Sequence, residues 1–322
     1  MDNFLSLTLR DKELFDYYSD ISKYESYEYL FSSLYIWRNF CNTKYQIIDG
    51  ALIVWKHEQC VGDFFMMPYN YNRLNLESLI NSLIKLSNSF CNNRLLRPFN
   101  SNSFLTGASC ENSIYLFGDV ESQFVDDLKN HTSLTFDIDE LKDDFEYIYN
   151  TKDLINLSGA KYHSKKNHYN AFKRLYDYRI TEINSTSIIN DCLDLLDRWH
   201  ETNTKVLCCK ELSIERPIIE ETLYNLNILS LKSLALYVKD TLVGFCVGEI
   251  HGSTAVIHFE RCDTSFKGVY AFINREFLKR EFSNTLYVNR QEDCGDIGLR
   301  QSKESYHPVT MIKKSFIRIS NQ

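Results

Sequence analysis

An α/β (α+β) chain of two similar lobes, each a mixed sheet flanked by helices, is what this sequence predicts, with the lobes at 1–150 and 151–322. Three observations predict it. At 322 residues the chain is too long for one small domain and suits two of roughly 150 residues each. Alternating strand patterns joined by tight turns are interspersed with amphipathic helical patterns. One order of elements (hairpin, third strand, polar loop, helix) also occurs twice, first from Tyr45 and again from Leu234. The copies share no evident identity, so the repeat is one of element order.

The elements follow in turn. Residues 10–42 are rich in Tyr and Leu, and Leu30, Leu34 and Trp37 recur at near-helical spacing. Two β-branched runs flank Asp49-Gly50 within Tyr45–Trp55, which is a hairpin signal. Asp63–Met67 reads as a third strand that Pro68 ends. Leu76, Leu79, Ile80, Leu83 and Ile84 place an amphipathic helix over 75–90. A strand over Asp144–Tyr149 leads to a helical bridge at 151–230. There Thr151 is expected to cap a short helix stopped by Gly159. Further helices are expected at 162–176 and 186–203, and from Pro217, a residue tolerated at a first helical position. The second copy runs as strand, turn and strand over Leu234–Ile250, a third strand over Thr254–Arg261, a loop over Cys262–Gly268 and a helix at about 270–282.

Composition narrows the function classes. Hydrophobic residues are 44%, enough for real cores, and the net charge is −7, so any anionic partner needs a local basic patch. The ten cysteines show no C-x-x-C spacing, and His57-x-x-Cys60 has no second half, so no metal site is expected. Thiols in apolar runs such as Phe245-Cys246-Val247 suit a reducing compartment, and a cytoplasmic location is expected. The first residues lack the pattern of a signal peptide, and no apolar run of about 18 residues exists, so no transmembrane segment is expected. The motifs GxxxxGK[ST], GxGxxG, GxSxG and HExxH are absent, which lowers nucleotide hydrolysis, dinucleotide redox, α/β-hydrolase and zincin readings.

Three segments carry candidate chemistry. Between 161 and 179 there are six Lys or Arg against one acid, Asp177. Lys161, Lys165 and His168 share helical spacing on one face, and with Lys166 and Arg174 they suit an anionic ligand beside a Gly turn. A solvated helix among acidic surroundings would look the same. The second segment holds Glu249, His258 and Glu260. His258 and Glu260, two apart in a strand, are expected on one face as a proton-transfer pair; an interior ion pair is the alternative. The third runs from Tyr287 to Lys303, a strand entering a polar loop and then a helix with Arg300 and Lys303. Its Glu292, Asp293 and Asp296 could hold a substrate amino group, or equally hold Arg290 structurally.

Lys161-Tyr-His-Ser-Lys-Lys-Asn-His168, Gly268-Val-Tyr270 with Ile273-Asn274, and Asn289-Arg-Gln-Glu-Asp293 with Gly298-Leu-Arg300 together resemble bacterial relatives of the phosphatidylglycerol lysyltransferase C-terminal domain. The resemblance covers nearly the whole chain. It implies two tandem GNAT-like (acetyltransferase-like) lobes, as in the Fem peptidyltransferases, and transfer of an aminoacyl group from aminoacyl-tRNA to an acceptor. On that footing His258 and Glu260 are the catalytic candidates. Lys161, Lys165, Lys166, His168, Arg174, Gly268 and Tyr270 would hold the donor, and Glu249, Asn274, Asn289, Arg290, Glu292, Asp293, Arg300 and Lys303 would line the substrate side. The loop from Thr264 to Tyr270 lacks the repeated glycines that cradle the pyrophosphate of coenzyme A, so acyl-CoA is disfavoured as donor. No bound cofactor is expected; aminoacyl-tRNA would be a co-substrate, and tRNA or another phosphate-rich donor the partner. Peripheral membrane contact stays open, as does the oligomeric state. Two alternatives accompany this reading: a non-catalytic ligand- or RNA-binding regulatory protein that kept the fold, and an acyl-CoA N-acetyltransferase.

Overall fold

The computed structural model of the chain describes residues 3–58, 61–91, 115–203 and 209–320. Cys60, Cys110 and Cys208 lie outside the described residues. The chain divides into two compact units, 1–145 with 312–322, and 146–311.

The first unit is built from β1 (Leu5–Ser6), α1 (Lys12–Ser22), α2 (Phe31–Trp37), β2 (Lys44–Ile48), β3 (Ala51–Glu58), β4 (Gly62–Met66), α3 (Leu76–Cys91), β5 (Phe117–Glu121), α4 (Ser122–His131) and β6 (Phe136–Glu140). The expected hairpin is β2–β3. Its two-residue turn holds Asp49 at φ +52° and Gly50 at φ +88°, the left-handed pair that a right-twisted hairpin needs. Helix α3 buries Leu76, Leu79, Ile80 and Leu83, the apolar stripe of the sequence pattern. Each such side chain contributes about 1.5–3 kcal/mol on full burial.

The second unit comprises β7 (Glu146–Asn150), α5 (Thr151–Asn156), α6 (His163–Leu175), β8 (Tyr178–Thr181), α7 (Thr186–Asn203), α8 (Cys209–Tyr224), β9 (Lys232–Val238), β10 (Thr241–His251), β11 (Thr254–Cys262), α9 (Val269–Glu281), β12 (Tyr287–Asn289), α10 (Ile297–Glu304) and β13 (Thr310–Ile312). Two expectations at helix starts need correction. Asn150, still extended at φ −70° and ψ 125°, is the cap of α5, and Thr151 is its first residue. Pro217 lies inside α8, which begins at Cys209. The pyrrolidine removes one internal hydrogen bond without ending the helix.

The last strand, β14 (Lys314–Ile319), returns to the first sheet. The sheets run β1-β2-β3-β4-β5-β14-β6 and β8-β9-β10-β11-β12-β7-β13. Position by position the two orders coincide, with a parallel pair at the same place in each, β4 with β5 and β11 with β12. The seventh strand of each sequence copy therefore sits in the other copy's sheet: β7 follows the first copy yet completes the second sheet, and β14 does the reverse. This exchange is why a single cut at 150/151 does not describe the lobes, since 312–322 belongs with the first unit.

In the second unit, α6 and α9 pack on one face of the sheet through Phe172 and Phe272, whose rings lie 4.5 Å apart, with Tyr169 stacked on Phe272 at 5.4 Å. Their close approach needs Gly268. It sits at φ +84°, and a Cβ there would lie 2.1 Å from the carbonyl oxygen of His168. Helices α7 and α8 contact each other, and α7 also contacts β10 and β11.

Candidate active site

The polar groups of the second unit gather where two parallel strands part. β11 and β12 pair over three residues only, ending at Val256 opposite Asn289, while β11 continues to Cys262. Asn289 turns the chain. Its side-chain oxygen accepts from Gln291 N at 2.8 Å, its amide donates to Glu146, and Gln291 takes φ +60°. The departing backbone stays bonded to β7, with Arg290 N donating to Tyr147 O and Tyr147 N to Gln291 O. A gap thus opens along the free edge of β11.

The loop after Asn289 is pinned from below. Lys303 is buried, and its ammonium donates to the carbonyls of Arg290 and Glu292. Burial, opposed by Glu292 and helped by Arg290, brings its pKa down to about 8. Asp293 is 1% exposed and accepts from Tyr147 Oη at 2.6 Å, Arg300 Nε at 2.8 Å and Nη2 at 2.7 Å, and Gly295 N at 2.9 Å. Burial alone would raise its pKa; these donors outweigh it and bring it to about 2. A carboxylate with four donors has no capacity left for a substrate amine, and Asp293 holds Arg300. Asp296 is equally committed, as the cap of α10 accepting from Leu299 N.

One residue corrects the reading of the central strand. Cys246 pairs with Glu260 and Val247 with Phe259, but Gly248 pairs with Ile257, so His258 is the extra residue of a β-bulge. The bulge resets the alternation of faces. Ile257 and Cys262, five apart, both join the core cluster with α9, which an unbroken strand would forbid. Glu260 accordingly points to the α9 side, where Asn274 Nδ2 donates to it at 3.0 Å. His258 instead bonds Glu249 Oε1 through Nε2 at 2.7 Å, and Gln291 Nε2 approaches its Nδ1 at 3.3 Å. His258 and Glu260 are therefore not one proton-transfer pair; the partner of His258 is Glu249.

The gap is bordered by two polar groups. On the α6–α9 side, Arg290 reaches Glu260 Oε1 at 3.3 Å, and its guanidinium lies 4.9 Å from the centre of the Tyr306 ring. Burial works against the charge of Arg290, but Glu260 together with Tyr149, Tyr306 and Cys246 outweighs it and its pKa rises. Next to His258, on β11 and α7–α8, Arg261 pairs with Glu215, which His200 Nε2 contacts at 2.9 Å, and Arg261 lies 4.9 Å from the centre of the Trp199 ring. Burial opposes ionisation of Glu215, yet Arg261 and His200 lower its pKa. At the end of the strand, Cys262 N donates to Tyr270 Oη at 3.4 Å.

The basic helix contributes one side chain. Lys165 is half-buried with its ammonium 4.1 Å from the centre of the Tyr306 ring. Lys161 precedes the helix in a 3-10 turn and lies 3.7 Å from Asp153, so it does not share a helical face with Lys165. Lys166, His168 and Arg174 are exposed. Gly268 is occupied by its contact with His168. The amides of its loop are also engaged: Ser265 N by Asp263 Oδ1, Phe266 N by Asp263 O, Lys267 N by Tyr176 Oη and Val269 N by Phe266 O. Gln291 and Tyr306 were not among the residues singled out in the sequence. Gln291 lies within the Asn289–Asp293 run and was available to that reading, whereas Tyr306 carries no sequence signal.

The equivalent place in the first unit is closed. Between the ends of β4 and β5, Tyr29 Oη accepts from Met67 N at 3.1 Å and donates to Asp119 O at 2.8 Å. Around it Lys56 pairs with Glu28 at 2.8 Å and Asp119 at 3.0 Å, and Lys314 with Glu28 at 3.2 Å. A cavity of about 260 Å³ elsewhere in the second unit, beside Glu182, Asn184, Leu223 and Ser233, contains none of the residues above.

Two mixed sheets of identical strand order, each with a parallel pair and helices on its faces, define a tandem GNAT-like acyltransferase fold. The chain matches the family described as phosphatidylglycerol lysyltransferase, C-terminal, over residues 101–318, and belongs to it. It is similar to a crystal structure of a conserved protein of unknown function from Bacteroides thetaiotaomicron VPI-5482, with TM-score 0.83, 29% identity, and coverage of 98% of this chain and 99% of that one. The structure of L-PGS from Bacillus licheniformis shares the fold, with TM-score 0.59 and 14% identity over 97% of this chain and 93% of that one. An uncharacterised protein of Mycoplasmoides gallisepticum is 30% identical over 179 residues, covering 54% of this chain. The match spans 56% of that relative's own length. The fold and family are those of aminoacyl-transferase-like proteins. No helix among the described residues is long and apolar enough to cross a membrane.

Proposed function

We propose that this chain is an acyltransferase that moves an aminoacyl group from an aminoacyl-tRNA, or a similar activated ester, to an amine or hydroxyl acceptor. The observation that carries the reading is the His258–Glu249 pair at the bulge beside the open edge of β11. The Glu249 carboxylate favours the Nε2–H tautomer and leaves the Nδ1 lone pair as the proton acceptor. Gln291 meets that lone pair at 3.3 Å, long for a hydrogen bond, so the N–H or O–H of an acceptor can take its place.

The acceptor nitrogen or oxygen attacks the ester carbonyl carbon, and its proton passes to His258 Nδ1. The tetrahedral oxyanion then collapses, the bond to the leaving hydroxyl breaks, and His258 returns the proton to that oxygen. Backbone direction supplies the oxyanion donor. Asp263 N bonds Val243 O towards β10, so the amides of Cys262 and Glu260 face the opposite, splayed edge; Cys262 N meets Tyr270 Oη there at 3.4 Å, which leaves Glu260 N as the oxyanion donor. Glu260, held between Asn274 and Arg290, positions rather than abstracts.

The engaged amides of the Asp263–Val269 loop support an ester donor over acyl-CoA. A cytoplasmic location belongs to the same proposal and draws support from the buried free thiols Cys41, Cys192, Cys246 and Cys262. The test is transfer of labelled aminoacyl groups from charged tRNA to candidate amines, hydroxyls and lipids. His258→Gln and Glu249→Gln should each lower turnover by about 10²–10⁴-fold with the fold retained. Absence of transfer to every acceptor while tRNA still binds would make the chain a binding module instead.

A further inference from the structure

We propose that Lys165, Arg290 and the first turn of α6 form a seat for one phosphate group, beside the ring of Tyr306. Arg290 uses one terminal nitrogen on Glu260, while the other, Nη1, is shut off from solvent and has no hydrogen-bond partner at ordinary distance, although the Tyr306 hydroxyl lies close enough to the guanidinium to feel it. Buried guanidinium nitrogens are normally satisfied, so an unpaired one marks a missing acceptor. Lys165 supplies the second cation. It stands on the same tyrosine ring as Arg290, at 4.1 Å against 4.9 Å, and no carboxylate pairs with it among the described residues.

Two cations sharing one aromatic ring repel each other. Burial, then the charge of Arg290, makes the Lys165 ammonium less basic. Lys165 also lies in the first turn of α6, which carries no acid, so a positive charge sits at the positive end of the helix dipole. Each of these arrangements is unfavourable in the empty site and becomes favourable once an anion bridges Lys165 Nζ and Arg290 Nη1. The carboxylate of Glu260 faces this point and is already held by Asn274 and Arg290, while Asp153 acts on Tyr162 from beside it; Tyr149, Tyr162 and Tyr306 form the wall. The placement is fixed by Tyr162 Oη donating to Tyr306 O at 3.2 Å and by the Tyr162 ring against His307 at 5.5 Å.

Two cations with a helix end suit the charge and several oxygens of a phosphate better than a carboxylate. The phosphate could belong to the terminal nucleotide of an RNA donor or to a small phosphorylated molecule. The exposed Lys166, Lys173 and Arg174 on the same helix favour an extended phosphodiester. The seat is a matter of binding and stands or falls independently of the transfer reaction.

Direct titration with inorganic phosphate, AMP, acetate and a short fluorescent single-stranded RNA tests it. Phosphate and AMP should bind the full chain and acetate much more weakly. Lys165→Met should weaken AMP at least about tenfold, Lys165→Arg should recover most of it, and Lys279→Met, at the far end of α9, should change nothing. RNA binding far tighter than AMP, with a salt slope that drops by about one in Lys165→Met, assigns the seat to a nucleic-acid donor. Equal binding of AMP and RNA assigns it to a small phosphate ester. Acetate binding as well as phosphate, no binding of any phosphate, or AMP affinity unchanged in Lys165→Met would overturn the proposal.

Discussion

Asp293→Asn is the change that most directly tests how the loop after β12 is held. The carboxylate is 1% exposed and takes four donors, two of them from Arg300. Its pKa falls from an ordinary 3.8 to about 2. At about 1.4 kcal/mol per unit, the ionised form therefore stabilises the folded chain by roughly 2–3 kcal/mol at neutral pH. Asparagine keeps the shape but turns an NH2 group towards groups that are all donors. The loss should thus be about 2–3 kcal/mol at pH 7. Because the folded pKa is depressed, this stability is complete above about pH 4 and disappears as pH falls through about 2. The difference between wild type and variant should shrink over the same window. Urea unfolding followed by Trp199 fluorescence reads the second unit, in a background where Trp37 and Trp55 are Phe. A variant within about 0.5 kcal/mol of wild type at pH 7, or a difference that does not vary with pH, would refute the account of Asp293 as the anchor of the loop.

Two further substitutions probe the packing that frames the site. Gly268→Ala places a methyl group 2.1 Å from the carbonyl oxygen of His168 at a φ of +84°, so it should cost more than about 1 kcal/mol and lower the melting temperature; an unchanged melting temperature would mean that α6 and α9 are not held at this distance. Lys314→Met removes one partner from the buried group of Glu28, Lys56 and Asp119. It should destabilise the first unit by about 3–5 kcal/mol, and Glu28→Gln added to it should recover part of the loss, with no recovery arguing against a charge effect.

Much of the architecture was legible because it is written in local patterns. The Asp49-Gly50 turn, the stripe from Leu76 to Leu83 and the strand at Thr254–Arg261 all follow from periods of two or 3.6 residues. The strand at 144–149 was legible too, but not its partner: nothing local in Glu146–Asn150 says that it completes the second sheet, nor in Lys314–Ile319 that it returns to the first. Strand choice depends on contacts across the whole chain. The candidate site failed to be legible for a smaller reason. One extra residue at His258 moves Glu260 to the opposite face, and a bulge in the middle of an apolar strand leaves no mark in composition. The acidic run from Glu292 to Asp296 was visible as a cluster, but whether a carboxylate is free or saturated depends on donors such as Tyr147, 146 positions away.

The two copies also differ in how the same gap is filled. Both sheets part after a short parallel pair, and each gap must be filled by something that satisfies the two strand edges. In the first unit Tyr29 does this with a single hydroxyl, accepting from one strand and donating to the other. Burial pushes its pKa well up, and both its hydrogen-bonding roles are spent. Lys56 and Lys314 nearby are matched by Glu28 and Asp119. In the second unit the same place is spanned by Glu260 and Arg290, with one guanidinium nitrogen left over and a lysine beside it that has no counter-charge among the described residues. A neutral plug that is fully bonded has nothing to offer a substrate, while a charged bridge with a spare donor stabilises whatever negative charge enters. The two gaps have the same form; the side chains that fill them leave spare hydrogen-bonding capacity in the second.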